Sequence, residues 1–218
     1  MSGSDFPRYV VIEGPIGVGK TSLARRLADS LESDLLLERP EENPFLPRFY
    51  EDPRSAALPT QLHFLFQRAR QVQEMRQADL FGSVRVSDFM LEKDRLFAQL
   101  NLDPHEYELY EMVYEKCAMD APRPDLVVYL QAPADVLLER VGRRGHDYEK
   151  TMDYDYLARL AEAYARFFHD YDQSPLLIVN AVAIDPVHSD ADYQQLLQQI
   201  CSVRRGRHYF NPGADVFS

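Results

Sequence analysis

Eight consecutive residues, Gly14, Pro15, Ile16, Gly17, Val18, Gly19, Lys20 and Thr21, constrain this chain more than any other feature. They satisfy the pattern G-x-x-x-x-G-K-[ST] in full. An apolar run, YVVI at 9–12, precedes them, and a helical stripe of Leu23, Leu27 and Leu31 follows. Glycines permit backbone conformations that turn successive N–H groups inward and make an anion nest. The N-terminus of the following helix adds partial positive charge. Lys20 is then placed for the outer phosphates of a nucleotide, and the Thr21 hydroxyl for Mg²⁺. Strand, loop and helix together imply a nucleoside triphosphate site on an α/β scaffold.

The remaining patterning agrees. LLL at 35–37, VRVS at 84–87, LVVYL at 126–130 and LLIV at 176–179 read as further short buried strands. Helical periodicity is expected over 59–79, 104–119, 133–141, 153–171 and 190–203. Residues 43–51 read as a short helix or turn, with Asn43 as cap, Pro44 in the first position and Pro47 limiting its length. Five strands alternating with helices imply a three-layer α/β domain, a P-loop NTPase fold with a five-stranded parallel sheet covered on both faces. One domain is expected over 1–203, with a lid at about 140–150. The tail, 204–218, lacks periodicity and is expected to be partly disordered.

Charge excludes some functions and leaves others open. The chain of 218 residues carries a formal net charge of -11, which argues against a sequence-independent grip on nucleic acid. The balance is uneven: residues 140–150 and 201–218 are each net basic by +2. A small phosphorylated ligand needs only such local cations. No stretch approaches the roughly 20 consecutive apolar residues of a membrane span, and the N-terminus does not read as a secretory signal. Two cysteines, Cys117 and Cys201, exclude a disulfide scaffold and point to the cytoplasm. His63, His105, His146 and His169 lack ligand-like spacing, so no structural metal site is expected.

Among P-loop proteins, a GTPase should show Asn-Lys-x-Asp after a strand. The late strands lead instead into QAPAD and NAVAID. A motor ATPase normally occupies a larger, oligomer-forming chain. A kinase of small molecules needs a base for the attacking hydroxyl and mobile cations over the transferred group. RVGRRG at 140–145 suits the second need: Arg140 and Arg144 are four apart on one helical face, and the glycines permit a hinge. Arg143 reads as a solvated surface residue. Glu38, after three leucines, projects from the carboxyl end of a buried strand, where ligands gather in parallel sheets. Gln61 and Arg68, seven apart, share a helical face. Of the aromatics Phe45, Phe64, Phe66 and Phe81, one is expected to stack on a base.

These residues resemble the deoxynucleoside kinase family, from about Tyr9 to about Ile200. Glu38 falls where the family places its general base, with Pro40 displaced by one. N-P-F-L-x-x-F-Y-x-D at 43–52 is similar to the bacterial deoxyadenosine/deoxyguanosine kinase branch. The resemblance implies that Tyr50 and Glu149 contact the sugar 3′-hydroxyl. It implies that Gln61 and Arg68 read the base, with Asp94 as partner of the arginine. It further implies ATP as donor, Mg²⁺ held by Thr21 and Asp88, a purine deoxynucleoside as acceptor, and a homodimer. Lys20, Arg140 and Arg144 would serve the phosphates. One departure stands out: where the family has Asp/Glu-Arg-Ser, this chain has Asp88-Phe89-Met90. Lys93 and Arg95 are the two candidates for the missing charge. Two other readings stay open, a thymidylate-type monophosphate kinase using Arg54 or Arg68 for the acceptor's phosphate, and a nucleotide-binding protein without turnover.

Overall fold

The computed structural model describes residues 6–78, 84–117, 121–146, 149 and 151–212. Its strands are β1 (Tyr9–Glu13), β2 (Asp34–Leu36), β3 (Arg85–Ser87), β4 (Leu126–Gln131), β5 (Leu176–Asn180) and β6 (Arg207–Phe210). They form one sheet in the order β2-β3-β1-β4-β5-β6, with every pairing parallel. Helices cover both faces. They are α1 (Lys20–Leu31), α2 (Leu46–Glu51), α3 (Pro53–Ala78), α4 (Lys93–Asn101), α5 (Pro104–Cys117), α6 (Ala134–Arg144), α7 (Tyr154–Asp170) and α8 (Asp190–Ser202). A 3-10 turn lies at Pro40–Glu42.

The central strands are apolar because both their faces are covered. Val10, Val11, Ile12, Val127 and Val128 are fully buried, packed with Leu23 and Leu27 of α1 and Leu157 and Leu160 of α7. The strand order turns back at β1, with β2 and β3 on one side and β4 to β6 on the other. Such a reversal opens a crevice at the carboxyl ends of the strands. The phosphate loop leaves β1 at that place. Among the described residues no helix is long and apolar enough to cross a membrane.

Several expectations are corrected. The sheet has six strands rather than five, and the sixth lies in the tail read as irregular. As an edge strand, β6 turns Arg207, His208 and Tyr209 to solvent, so it has no apolar rhythm to read. It also puts the tail's charge to use. The Arg207 guanidinium donates to the carbonyls of Phe168 (3.0 Å), His169 (2.7 Å) and Tyr171 (3.2 Å), where the last turn of α7 lacks donors of its own.

The long helix expected from Pro59 begins at Pro53 and runs through Pro59. That proline has no N–H for the Ser55 carbonyl one turn back, and Arg48 Nη2 donates to it instead at 2.5 Å. Pro47 does not cut α2 short; it sits in the first turn, where no intrahelical donor is required. Asn43 caps no helix at Pro44. Its side chain accepts from the Phe45 N–H and donates to the Thr60 carbonyl, tying the loop to α3. Finally, α4 was not foreseen. Phe81 and the expected helix ends Asp79 and Met119 lie outside the described residues.

Candidate active site

A cavity of about 1290 Å³ opens over the carboxyl ends of the strands, floored by the phosphate loop and walled by α3 on one side and α6 on the other. Two glycines make the floor possible. Gly14 has φ 148°, and a Cβ there would stand 2.4 Å from the Leu130 carbonyl oxygen. Gly17 has φ 85°, and a Cβ would meet the Leu137 carbonyl oxygen at 2.8 Å and a Val141 methyl at 2.9 Å. The loop is thus pressed against β4 and α6, and side chains at these positions would push it away.

Lys20 Nζ donates to the loop carbonyls of Gly14 (2.7 Å) and Pro15 (3.1 Å). Burial, together with the neighbouring Lys93 ammonium, pulls its pKa down to about 8. Thr21 Oγ1 donates to Asp88 Oδ2 at 2.5 Å, and the other Asp88 oxygen accepts the Glu38 N–H at 2.8 Å. Asp88 therefore joins the mouth of the phosphate loop to the residue expected as base. Burial, then the nearby Glu38 charge, pushes the Asp88 carboxyl above its usual range.

Glu38 sits just past β2 and faces the cavity. Its Oε1 accepts from Arg68 Nε (2.9 Å) and Nη2, and its Oε2 accepts from Lys93 Nζ at 3.2 Å. Burial alone would raise this carboxyl, but the Arg68 and Lys93 cations outweigh it and hold the pKa at about 2. Arg68 also bonds Asp94 through Nη1. Asp94 is fully buried behind Arg68; it accepts from Gln61 Nε2 at 2.5 Å and from the Tyr110 hydroxyl at 3.0 Å. It reaches the cavity only through Arg68 and Gln61, which both line it. Phe64, between them on α3, lines the same wall with the Arg68 guanidinium 5.0 Å from its ring centre.

On the opposite wall Arg140 donates to the carbonyls of Val18 (3.1 Å) and Ala181 (2.8 Å), and Arg144 bonds both Glu149 oxygens, Nε at 3.1 Å. Both arginines, Glu149 and Tyr50 line the cavity. Arg143, read from the sequence as a surface residue, is exposed and pairs with Glu139, yet it too stands among the residues lining the cavity. Gly142 lies within α6 and only Gly145, φ 71°, ends it. Of the expected lid, residues 147, 148 and 150 lie outside the described set. The two candidate replacements at the departure separate clearly. Phe89 is fully buried, Lys93 reaches Glu38, and Arg95 turns away to Glu111 (2.7 and 3.0 Å) and to the Tyr114 ring.

Sequence reading missed Tyr110, Glu13 and the Ala181–His188 segment beside Arg140. A signal existed for Glu13: an acid at the end of an otherwise apolar buried strand. None existed for Tyr110, which reads as ordinary helix packing.

A parallel sheet with a nucleotide loop at its turning point, a carboxylate at the neighbouring strand end and arginines opposite define a P-loop kinase of small molecules. Residues 10–203 match the family described as "Deoxynucleoside kinase", and the chain belongs to that family. It is 34% identical to a deoxyguanosine kinase of Lactobacillus johnsonii, covering 88% of this chain and 90% of that protein. It is 30% identical to a deoxyadenosine kinase of Lactobacillus acidophilus, covering 88% and 94%. In fold it is similar to the deoxyadenosine kinase of M. mycoides with dCMP and dCDP bound, with TM-score 0.78 and 23% identity over 89% of this chain and 99% of that one.

Proposed function

We propose that the chain transfers the γ-phosphoryl group of ATP to the 5′-hydroxyl of a purine deoxynucleoside. The observation that carries this is the Glu38 carboxylate, set in the cavity wall on a residue whose backbone N–H is joined through Asp88 to Thr21 of the phosphate loop. The purine preference is supported by the relatives named deoxyguanosine and deoxyadenosine kinase.

In the proposed reaction the loop N–H groups and Lys20 hold the donor's phosphates. Glu38, ionised at neutral pH, accepts the proton of the attacking hydroxyl. Tyr50 and Glu149 orient the sugar, while Gln61 and Arg68 hold the base with Asp94 fixing both. Arg140 and Arg144 draw charge toward the transferred group. Holding the hydroxyl in line contributes as much as removing its proton. Mg²⁺ suits the Thr21 hydroxyl and Asp88 carboxylate, two oxygen donors 2.5 Å apart, with Asp88 in want of a cation. When bound there it would neutralise phosphate charge.

A monophosphate kinase fits less well. Arg68, the cation expected to meet an acceptor phosphate, is engaged by Glu38 and Asp94, and Arg54 is exposed away from the cavity wall. A coupled assay with ATP, Mg²⁺ and each deoxynucleoside or monophosphate in turn tests the proposal. Phosphorylation of deoxyguanosine and deoxyadenosine is expected. Turnover of monophosphates alone would overturn it, and no turnover would leave a binding protein.

Nucleotide binding should also take up protons. Lys20 titrates at about 8, and phosphate oxygens favour its charged form. At pH 8 the expected uptake is about half a proton per nucleotide. Calorimetric titration in buffers of different ionisation enthalpy measures it, and equal heats in both would contradict this.

A homodimer is proposed through α3 and α5. These helices pack on each other through Leu65, Tyr110 and Tyr114 and leave Phe66, Leu109 and Met112 about half exposed or more. Sedimentation should give twice the 25.3 kDa chain mass, and Phe66→Glu should reduce it to one chain. A cytoplasmic location is in keeping with Cys117 and Cys201, which form no disulfide.

A further inference from the structure

The buried charges outside the reaction just described include a neighbouring pair, Glu13 and Lys93. Glu13, the last residue of β1, is fully buried, and Lys93, the first of α4, is 2% exposed. Each is costly to bury alone, so their surroundings show what they hold. Glu13 Oε2 accepts from the Gly14 N–H at 3.0 Å and from the Tyr164 hydroxyl at 3.1 Å. Its Oε1 accepts from the Met90 N–H at 2.9 Å and faces Lys93 Nζ at 3.8 Å. Lys93 Nζ then donates to Glu38 Oε2 at 3.2 Å. A continuous polar chain thus runs from the first amide of the phosphate loop, through Glu13 and Lys93, to the carboxylate that receives the hydroxyl proton. Lys93 is absent from the cavity wall and acts from behind Glu38.

We infer that Lys93, anchored by Glu13, is a positioning residue that fixes Glu38 relative to the phosphate loop. This rests on the reading of Glu38 as base. The span from loop to carboxylate sets how far the attacking oxygen stands from the phosphorus, so a loose link lowers the frequency of in-line geometry. Glu38 has one other strong tether, Arg68, and that residue is shared with Asp94. Lys93 is therefore the cation that locates Glu38 independently of what occupies the base pocket.

The test compares wild type, Lys93→Gln, Lys93→Met and Arg95→Met, using deoxyguanosine with ATP and Mg²⁺. Lys93→Gln keeps a donor for Glu38 but removes the charge. Its kcat is expected to fall at least about 30-fold with the KM for ATP within about 3-fold, while Arg95→Met stays near wild type. A merely structural lysine would lower stability without this split between kcat and KM. Lys93→Arg, which restores a cation beside Glu38, is expected to recover part of the lost kcat. Lys93→Gln with wild-type kcat overturns the inference, as does a loss confined to ATP KM. Should Lys93→Met and Lys93→Gln both fail to fold, Glu13→Gln/Lys93→Gln, which removes one charge of each sign, gives the same readouts. An inactive wild type would instead refute the kinase reading itself.

Discussion

Glu38→Gln is expected to lower kcat by about 10²- to 10⁴-fold while leaving the KM of both substrates within a few-fold. The amide keeps the shape of the carboxylate, and its oxygen can still accept from Arg68. What it loses is basicity and a full negative charge. With the carboxyl held at about 2, the wild-type base is ionised throughout the physiological range, so its power comes from placement and readiness rather than from a matched pKa. Steady-state kinetics on the folded variant decide the matter. Turnover within a few-fold of wild type would remove Glu38 from the chemistry and shift the burden to orientation alone.

Arg68→Met should have the largest effect on stability. The guanidinium is almost completely buried between Glu38 and Asp94. Removing it strands the Asp94 carboxylate and leaves Glu38 with Lys93 as its remaining ion-pair partner, and breaking a buried ion pair in this way typically costs about 3–5 kcal/mol. For a chain of 218 residues that corresponds to a fall in Tm on the order of 10 °C. Adding Asp94→Asn removes the fully buried stranded charge, so the double variant should recover part of the loss in a calorimetric melt. Catalytic activity should not return with it, because the base pocket still lacks its arginine. Full additivity of the two substitutions would mean that Arg68 and Asp94 are not energetically coupled.

How much of this could be read from the chain depends on distance along it. The phosphate loop is contiguous, and its geometry follows from residues next to one another. Glu38 was accessible because an acid after three consecutive leucines reads as the end of a strand, although these leucines are only half-buried. Gln61 and Arg68 followed from helical spacing, and both do line the cavity. The linkage Glu13–Lys93–Glu38 was not accessible. It joins β1, α4 and the end of β2, which approach one another only because β3 inserts between β1 and β2. The helix carrying Lys93 escaped notice for a related reason. Its first turn buries Lys93 and Asp94, so the polarity that normally marks an outer face points inward.

The edge strand β6 has a bearing on the life of the molecule in a crowded solution. Leu176, Leu177 and Val179 of β5 are almost entirely shielded. Were the sheet to stop there, a stiff, greasy ribbon with unpaired amides would border the solvent, open to any strand of another molecule. The four residues Arg207–Phe210 lie beyond the stretch shared with the family. They close that border with a ribbon whose outward side chains are charged or polar and whose first residue is bolted to α7. The same segment, absent from the cavity lining, thus covers the edge of β5 that would otherwise be open to pairing.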